Sequence, residues 1–479
     1  MKLLSLRCLA CSPLIFSIKV FAFLLCFSSL AVSQENQQKL GYLSAIYTLF
    51  DSEDSPVPQF SVSMPEPFTG DVYEIDTDEW DINTNKTNSI ETTTRIQAAI
   101  DDAVDKGFER IFLPSGDYLV GMPLERGAVD IFYRGIELPS NVEFTLADDA
   151  QIFMAPNDKW NYCVIRVSNG ENVVIKGGTL IGDRYEHIYT PRSNGQANHD
   201  EGHGICLEGG NNILIEDMVF KELTGDGVLV IAKAHDITIR NSEMSTNRRQ
   251  GVSVVGSYRV NIQNNYIHDI RGSNPEFGVD IETGGTFAGF DRDIIIQNNR
   301  FYGNRGGSVL NATGRNVFIR NNTMTEHSDP KYRYTTAPIT MWQKSDAVIT
   351  GNTISKREGT AGDGIIEYRG GFLGEDDGTR TIVIHDNTCR GCGMILRPST
   401  SGVDIRNNRF GGHIFWLLDV KNATIIGNNH EGSSPSNCFS FRFQNVTGEA
   451  TQNTFNDEPY DLPLDPTTPY SNGCPFTNP

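Results

Sequence analysis

The chain has 479 residues, with 60 acidic residues against 40 lysines and arginines, so its formal net charge is −20. Because nucleic-acid binding depends on attraction to phosphates, this charge argues against a nucleic-acid partner. The length exceeds that of one small core but suits a stack of repeated units, whose core does not widen as units are added.

The first 33 residues have the pattern of an export signal. Lys2, Arg7 and Lys19 are basic, residues 20–32 are apolar, and small residues precede the expected cleavage after Ser33. The apolar run is short for a bilayer span, and no later run approaches the length that spanning needs. We therefore expect a secreted or periplasmic monomer with no membrane contact after cleavage; an uncleaved anchor is the alternative.

Residues 34–91 are mixed in character and are interpreted as an extended lead-in, and residues 92–106 are predicted to form a helix. Its apolar stripe consists of Ile96, Ala99, Ile100, Ala103 and Val104. Threonines before the stripe are interpreted as caps, and Gly107 as the C-terminal stop. We expect this helix to cover the exposed apolar end of the first unit of a stack.

One pattern recurs between Gly202 and Asn429. A short alternating apolar run that opens with glycine is followed by polar residues and a second run ending in asparagine. The second runs begin at Ile262, Ile296, Ile319, Ile349, Ile384 and Ile405, at spacings of 34, 23, 30, 35 and 21 residues. Period-2 runs repeated at this distance, without a helical pattern, predict a β-solenoid.

An asparagine stands at the fourth position of each second run. The series comprises Asn265, Asn299, Asn322, Asn352, Asn387, Asn408 and Asn428. Stacked at the strand spacing of ~4.8 Å, their amides would hydrogen-bond from one coil to the next. We therefore predict an asparagine ladder.

These features resemble the right-handed parallel β-helix proteins of the pectate lyase and polygalacturonase type. The predicted helix is followed by Pro114-Ser115-Gly116-Asp117-Tyr118, which is similar to the opening of many β-helix carbohydrate enzymes. The resemblance implies a right-handed coil over residues 92–455 and a polysaccharide partner. Residues 456–479, rich in proline, are expected to cap the far end.

The first runs of successive coils begin at residues 203, 226, 250, 277, 306, 337 and 363. Their third and fifth positions are apolar and predicted to point inward, so the fourth and sixth should point outward. The predicted outward pairs are Cys206 and Glu208, Leu229 and Ile231, Ser253 and Val255, Asp280 and Glu282, Val309 and Asn311, Thr340 and Trp342, and Ile366 and Tyr368. Inserted loops, the longest at 182–201, are expected to wall a cleft along this column.

Asp280 and Glu282 are the predicted catalytic pair. Two positions apart on one strand, their side chains should project ~6.5–7 Å apart. A glycosidase needs one carboxyl to protonate the leaving oxygen and one carboxylate to activate water or attack, and this spacing favours inversion. A pair of solvated acids and a calcium site are the alternatives; no other cofactor is expected.

Further candidates surround this pair. Arg248, Arg249 and Arg305 could bind a uronate or sulfate, and Glu208 lies in the same outward column. Trp342 and Tyr368 could stack on sugar rings.

His203 and Asp226 open earlier coils and complete the catalytic candidates. Gly202-His203-Gly204 and Asp226-Gly227-Val228 resemble pieces of the polygalacturonase pattern. Here, however, the histidine comes before the aspartate, and neither an Asp-Asp doublet nor an Arg-x-Lys run is in place. The resemblance therefore implies the fold and does not carry over the catalytic set.

Three functions remain open. The preferred one is hydrolysis of a polysaccharide, acidic by expectation, with Asp280 and Glu282 as the pair. A uronate lyase or C5-epimerase is the second, with His203, Lys233, His187 or Tyr185 as base and arginine or calcium as neutraliser. The third is a non-catalytic glycan-binding solenoid.

Six cysteines follow the predicted signal. Cys389 and Cys392 could close a small loop, and Cys438 and Cys474 could staple the tail. Cys163 and Cys206 lie in apolar runs and are expected to fill core.

Overall fold

The computed structural model describes residue 58 and residues 60–123, 132–190, 199–282, 291–329, 336–342, 346–356, 362–368, 382–396, 403–412, 414–418, 420, 422–432, 441–444 and 446–460. The predicted signal, Cys438, Cys474 and the tail after residue 460 lie outside these ranges. Within them, no helix is both long and apolar enough to cross a membrane.

One wall of the molecule is a parallel sheet of 14 strands. Its strands, in spatial order, are Val72–Glu74, Arg110–Leu113, Val142–Leu146, Glu171–Lys176, Asn211–Glu216, His235–Arg240, Tyr258–Gln263, Arg292–Gln297, Arg315–Arg320, Ala347–Thr350, Ile382–His385, Val403–Arg406, Ala423–Ile426 and Gly448–Thr451.

The other 26 strands fall into two rows. The strands of the first, here named the long row, are Tyr133–Glu137, Asn161–Ser168, Glu201–Glu208, Asp226–Ile231, Gln250–Val255, Phe277–Glu282, Gly307–Asn311, Ile339–Trp342, Gly362–Tyr368, Cys392–Leu396, Phe415–Leu418 and Phe441–Gln444. Those of the short row are Asp117–Val120, Gln151–Met154, Thr179–Ile181, Val219–Lys221, Glu243–Ser245, Tyr266–His268, Arg300–Tyr302, Thr323–Thr325, Thr353–Ser355, Thr388–Arg390, Arg409–Gly411, Asn429–Glu431 and Thr454–Phe455, followed by the antiparallel Glu458–Pro459.

Each coil contributes a strand to each of the three walls and pairs in parallel register with the coils before and after it. Val228, for example, lies between Ile205 and Val252. Alternate side chains from all three walls meet in one continuous core of isoleucine, valine, leucine and phenylalanine. The predicted β-helix is confirmed, and the sheet is parallel because each strand re-enters its wall one full coil later.

A single helix among the described residues, α1 (Ser89–Asp105), covers the first coil. It buries Ile96, Ala99, Ile100 and Ala103, four of the five residues of the predicted stripe. The helix begins three residues earlier than predicted, after Asn88, so the threonines lie within its first turns and are not caps. Thr93 bonds the main chain of Gly121, which ties the helix to the coil beneath it.

The lead-in also contributes a strand and packing contacts to the β-helix. Val72–Glu74 adds the first strand of the 14-stranded sheet. Before it, Phe60 packs on Phe318 with ring centroids 6.0 Å apart, and the amide of Ser63 donates to Asp236 Oδ1. This segment therefore runs across the outer face of that sheet, where Phe318 is buried.

The asparagine ladder is confirmed and extends one coil further than predicted, to Asn453. Each amide nitrogen donates to the Oδ1 of the next member, at 3.1, 3.1, 3.0, 2.9, 2.9, 2.9 and 3.1 Å from Asn265 to Asn453. Each amide nitrogen also donates to a carbonyl of a neighbouring coil, such as Ile296 O for Asn322. These asparagine side chains are buried, and none of them has a buried polar atom without a hydrogen-bond partner.

The residue before each ladder asparagine adopts a left-handed backbone conformation. Asn264, Asn298, Asn321 and Asn407 have φ between 54° and 56°, and Gly351 and Gly427 have φ of 65° and 67°. Asparagine and glycine tolerate this region best. This explains the recurring Asn-Asn and Gly-Asn doublets of the sequence.

Two expectations need correction. In the coil predicted to begin at 306, Val309 pairs with Val279 and Asn311 with Ile281, so both point inward and Leu310 points outward. The coil begins one residue later than predicted, and a one-residue slip exchanges the two faces. Cys163 and Cys206 do not fill the main core, since they form a disulfide on the outer side of the long row. The predicted Cys389–Cys392 loop is closed by a disulfide.

We predict that Asn322→Ala lowers the free energy of unfolding by about 1–3 kcal/mol, because the main-chain N–H and the amide Nδ2 of Asn299 lose their buried acceptor, Asn322 Oδ1. Urea denaturation followed by circular dichroism measures the change. Asn85→Ala is the control, because Asn85 is exposed and accepts one bond from Thr87. Equal stability of the two variants would contradict the ladder's contribution.

Asp291 provides a pH test of the coil corners. It accepts bonds from the amide of Gly256 at 2.5 Å and the hydroxyl of Thr313 at 2.9 Å, and burial raises its pKa to about 6. Between pH of about 4 and 6 the folded carboxyl holds a proton that the unfolded one releases, so its contribution to stability falls as pH rises. We expect Asp291→Asn to gain about 1–3 kcal/mol relative to the wild type between pH 4.5 and pH 7. Urea unfolding of both proteins at the two pH values gives this difference, and a constant difference would contradict it.

Candidate functional site

A column of glycines runs through the long row. A Cβ added to Gly204, Gly227 or Gly251 would lie 2.6, 2.7 or 2.5 Å from the carbonyl oxygen of the next glycine in the column, and one on Gly278 would lie 2.9 Å from Ser308 O. No side chain fits at such distances, so glycine follows His203, Asp226, Gln250 and Phe277.

As a result, the side chain before each glycine, at the first position of a coil, contacts the outward side chain at the fourth position of the next coil. Asp226 accepts a 2.8 Å bond from Ser253, and Gln250 donates at 2.6 Å to Asp280. The disulfide between Cys163 and Cys206 joins the equivalent positions of two earlier coils. This relation brings Asp226, Ser253, Gln250 and Asp280 into one cluster.

Arg249 links this cluster to Glu282. Its Nη1 lies 3.1 Å from Asp226 Oδ2, and its Nη2 donates to Glu282 Oε1 at 2.5 Å. Burial disfavours charge on this guanidinium, but Asp226 and Glu282 outweigh burial and raise its pKa. Burial likewise opposes ionisation of Asp226, but Arg249 and His203 hold the pKa of Asp226 below its ordinary value.

Asp280 has the opposite environment. Burial and the neighbouring Glu282 raise the pKa of Asp280 well above its ordinary range, despite Arg249 nearby. Its Oδ2 accepts from Gln250, while its buried Oδ1 has no hydrogen-bond partner among the described residues. The raised pKa favours the protonated form of Asp280, whereas Glu282 is ion-paired and its side chain is 34% exposed. The strand register confirms that Asp280 points outward, as expected, but its side chain is buried.

His203 lies at the edge of the cluster. Its Nδ1 accepts from the amide of Asp226 at 3.1 Å and lies 3.2 Å from the Asp226 carboxylate. Its ring meets Phe132 edge-on, with centroids 5.5 Å apart. His203 therefore holds Asp226 in place, and both side chains are buried.

An apolar patch lies beside the cluster on the outer side of the earlier coils. Leu229 and Val255 pack there with the Cys163–Cys206 disulfide under Phe132. The predicted outward direction of these residues is confirmed, and the segment at Phe132 keeps the patch from solvent.

The remaining predicted residues are dispersed. Glu208 is buried in a two-point ion pair with Arg166, at 2.8 and 3.1 Å, so its expected exposure in the groove is wrong. Arg305 donates to Glu276 at 3.1 Å. Arg248 donates to the carbonyl of His199 at 3.0 Å and points away from Arg249.

Trp342 lies on the same wall as the cluster, two coils beyond Glu282. Ile339 and Met341 beside it are core residues, so Trp342 points outward, and it is 36% exposed. Two strand spacings place it ~10 Å from Glu282 along the coil axis. Tyr368 pairs with it in the next coil, but the side chain of Tyr368 lies outside the described residues.

Sequence reasoning missed the roles of Gln250 and Ser253, which connect the acids. It also missed a buried chain in which His187 lies 2.7 Å from Asp183 and 2.8 Å from His199. The length and polarity of loop 182–201 indicated a functional segment that contains these histidines. They did not indicate that the two histidines bond each other. Among the described residues, no group of three or more His, Cys, Asp or Glu side chains could hold a metal ion.

Comparison with known proteins agrees with this architecture. Residues 157–354 and 274–457 match the family described as right handed beta helix region. The chain therefore belongs to the right-handed β-helix family.

Two Bacillus subtilis (strain 168) proteins are similar in sequence. The chain is 30% identical over 345 residues to the uncharacterized protein YclG, covering 68% of this chain and 56% of that protein. It is 29% identical over 357 residues to the SPbeta prophage-derived uncharacterized protein YorA, covering 70% and 58%. The chain thus spans less than two thirds of the length of both relatives.

The fold also matches the crystal structure of a hyperthermoactive exopolygalacturonase from Thermotoga maritima, with a TM-score of 0.56 and 14% identity over 83% of this chain and 94% of that one. At this identity the match concerns the fold alone.

We predict that Arg249→Met lowers the free energy of unfolding by about 3–5 kcal/mol, because it removes the arginine that pairs with the buried Asp226 carboxylate. Arg315→Met is the matched control, since Arg315 pairs with Asp346 at 3.7 Å near the surface and its loss should cost less than about 1 kcal/mol. Urea denaturation of both variants measures the difference. Similar losses in the two would show that Asp226 does not need the arginine.

Proposed function

We propose that this protein is an exported enzyme that hydrolyses an acidic polysaccharide in the groove along the long row, with inversion at the sugar carbon. The observation that carries the proposal is the contrast between Asp280 and Glu282. They are two positions apart on one outward strand face, and their environments differ. Burial raises the pKa of Asp280, whereas Glu282 is partly exposed and paired with Arg249.

This contrast suits the two roles of a glycosidase. Asp280, whose raised pKa favours its protonated form, is the general acid for the leaving oxygen, and Glu282 is the base that activates water. Their expected separation of ~6.5–7 Å leaves room for that water, as in inverting enzymes. Because Asp280 is covered, the mechanism requires that substrate binding draw Arg249 aside and expose the acid.

Supporting features lie along the same wall. Trp342 offers an exposed aromatic face of the kind that stacks on sugar rings. Export is supported by the pattern of residues 1–33. The fold is shared with an exopolygalacturonase, so a polysaccharide substrate is compatible with this architecture. Calcium is not required by the mechanism.

We expect Glu282→Gln to reduce hydrolysis of the polymer about 10²–10⁴-fold, since it removes the general base. Asp280→Asn should reduce polymer hydrolysis similarly but spare an aryl glycoside, whose leaving group needs no proton. Reducing-sugar release measures both. Full activity of Glu282→Gln would remove this site from the reaction. Ultraviolet absorbance from an unsaturated uronate product would replace hydrolysis with a lyase reaction.

A second candidate is a glycan-binding solenoid without catalysis. The burial of Asp226 and Asp280 and their bonds to Arg249, Gln250 and Ser253 favour it, because such a network also stabilises stacked coils. In that case the protein would retain polymer on affinity electrophoresis and release no reducing ends. The Glu282→Gln variant would then bind as the wild type does.

A further inference from the structure

Three arginines converge on one flank of the coil, beside the cluster of Asp226 and Glu282. Arg184 follows the short-row strand Thr179–Ile181, Arg248 precedes the long-row strand Gln250–Val255, and Arg271 follows Tyr266–His268. Gly272 marks the place where they meet. A Cβ on Gly272 would lie 2.9 Å from Arg184 Nη2 and 2.9 Å from Arg248 Cγ.

The two inner arginines are held by main-chain carbonyls and aromatic rings. Arg184 Nη1 donates to Thr246 O, and Arg248 Nη1 donates to His199 O at 3.0 Å. The Arg248 guanidinium lies 4.7 Å from the ring centroid of Tyr189, and that of Arg184 lies 5.1 Å from the ring centroid of Tyr185. Both side chains are therefore positioned while most of their N–H groups remain available.

Neither Arg184 nor Arg248 forms an ion pair with a carboxylate of the described residues. The carboxylates of adjacent loops have hydrogen-bond partners other than Arg184 and Arg248. Asp200 accepts from Ser273 at 3.3 Å, and Glu276 accepts from the amide of Gly272 at 2.6 Å and from Arg305 at 3.1 Å.

The charges of Arg184 and Arg248 are not balanced by an ion pair among the described residues. Burial, together with the charges of Arg271 and Arg248, lowers the pKa of Arg184. The chain as a whole has a net charge of −20, so carboxylates are plentiful, yet none in the described ranges pairs with Arg184 or Arg248. Half-buried guanidinium groups gain most from a ligand that provides the missing negative charge.

We propose that Arg184 and Arg248, with Arg271 beside them, form a subsite for an anionic group of a saccharide, either a carboxylate or a sulfate. Both groups present paired oxygens that match the guanidinium fork. The ring of Tyr185 is 65% exposed and provides a flat surface for the sugar that carries the anion.

The subsite adds to the proposed function, because it specifies the charge of the substrate that the groove selects. In this respect the subsite rests on the proposed function. Arg248 and Arg249 are consecutive but serve different sites, because Arg249 holds Asp226 and Glu282 whereas Arg248 faces the loop of Tyr189.

The test measures binding and leaves catalysis out. Isothermal titration of the Glu282→Gln protein uses three probes: a polygalacturonate hexasaccharide, the same hexasaccharide with its carboxyls reduced to alcohols, and a sulfated dextran oligosaccharide. Arg184→Gln and Arg248→Gln are each added to this background. The control is Arg292→Gln, because Arg292 lies on the opposite, 14-stranded sheet.

We expect Arg184→Gln and Arg248→Gln each to weaken binding of at least one anionic probe about 10-fold or more, since a charged hydrogen bond is lost. Binding of the reduced hexasaccharide should not change, and Arg292→Gln should bind all probes as its parent does. The probe that responds identifies the anion as carboxylate or sulfate. Added salt should weaken only the anionic probes.

Several outcomes would overturn the subsite. These are binding of no probe, unchanged binding by both variants, or an equal loss for charged and reduced hexasaccharides. Thermal unfolding distinguishes a local loss from misfolding, and Arg248→Lys, which keeps the charge, should recover part of the affinity. Hydrolysis by the wild type is measured separately. Loss of anion binding without any hydrolysis would support the subsite while contradicting the proposed reaction.

Discussion

Every feature of this protein depends on coils that stack in parallel register at the strand spacing. The buried asparagines from Asn265 to Asn453 hold that register at one corner, because each amide bonds the next side chain and a carbonyl of another coil. A coil that slipped by one residue would break this chain of bonds and expose its apolar side chains. Because of the ladder, residues at the same position in successive coils lie directly above one another.

The site follows from this equivalence together with the glycine column. At Gly227 and Gly251 the backbones of adjacent coils are so close that no side chain fits. The residue before each of these glycines therefore contacts the outward residue at the fourth position of the next coil. Asp226, for example, contacts Ser253. Equivalent positions accommodate different chemistry, a disulfide in the early coils and carboxyls in the later ones.

The two buried aspartates show how position within one cluster sets protonation. Asp226 lies against Arg249 and His203, which favour its charged form over the effect of burial. Asp280 is buried beside Glu282, and Arg249 is shared among the three, so the charged form of Asp280 is disfavoured. Arg249 therefore pairs with two carboxylates, Asp226 and Glu282, while the pKa of the third, Asp280, is raised. Arg184 and Arg248 have the reverse arrangement, since neither forms an ion pair with a carboxylate in the part of the chain that the structure describes.

The repeats, the inward and outward faces of most coils, the capping helix and the asparagine ladder could all be predicted from the sequence. The physical reason is that they depend on local periodicity and on a side chain that repeats at a fixed place. The coil at Gly307 was misplaced because Ser308, Val309 and Leu310 give no clear alternation, and only pairing with Val279 decided it. Burial of Asp280, the Arg166–Glu208 pair, the Cys163–Cys206 disulfide and the arginine cluster arise between coils 23 to 87 residues apart in sequence, where loops of unequal length meet. Such contacts depend on how each loop folds back over its neighbours, so the tertiary structure alone determined them.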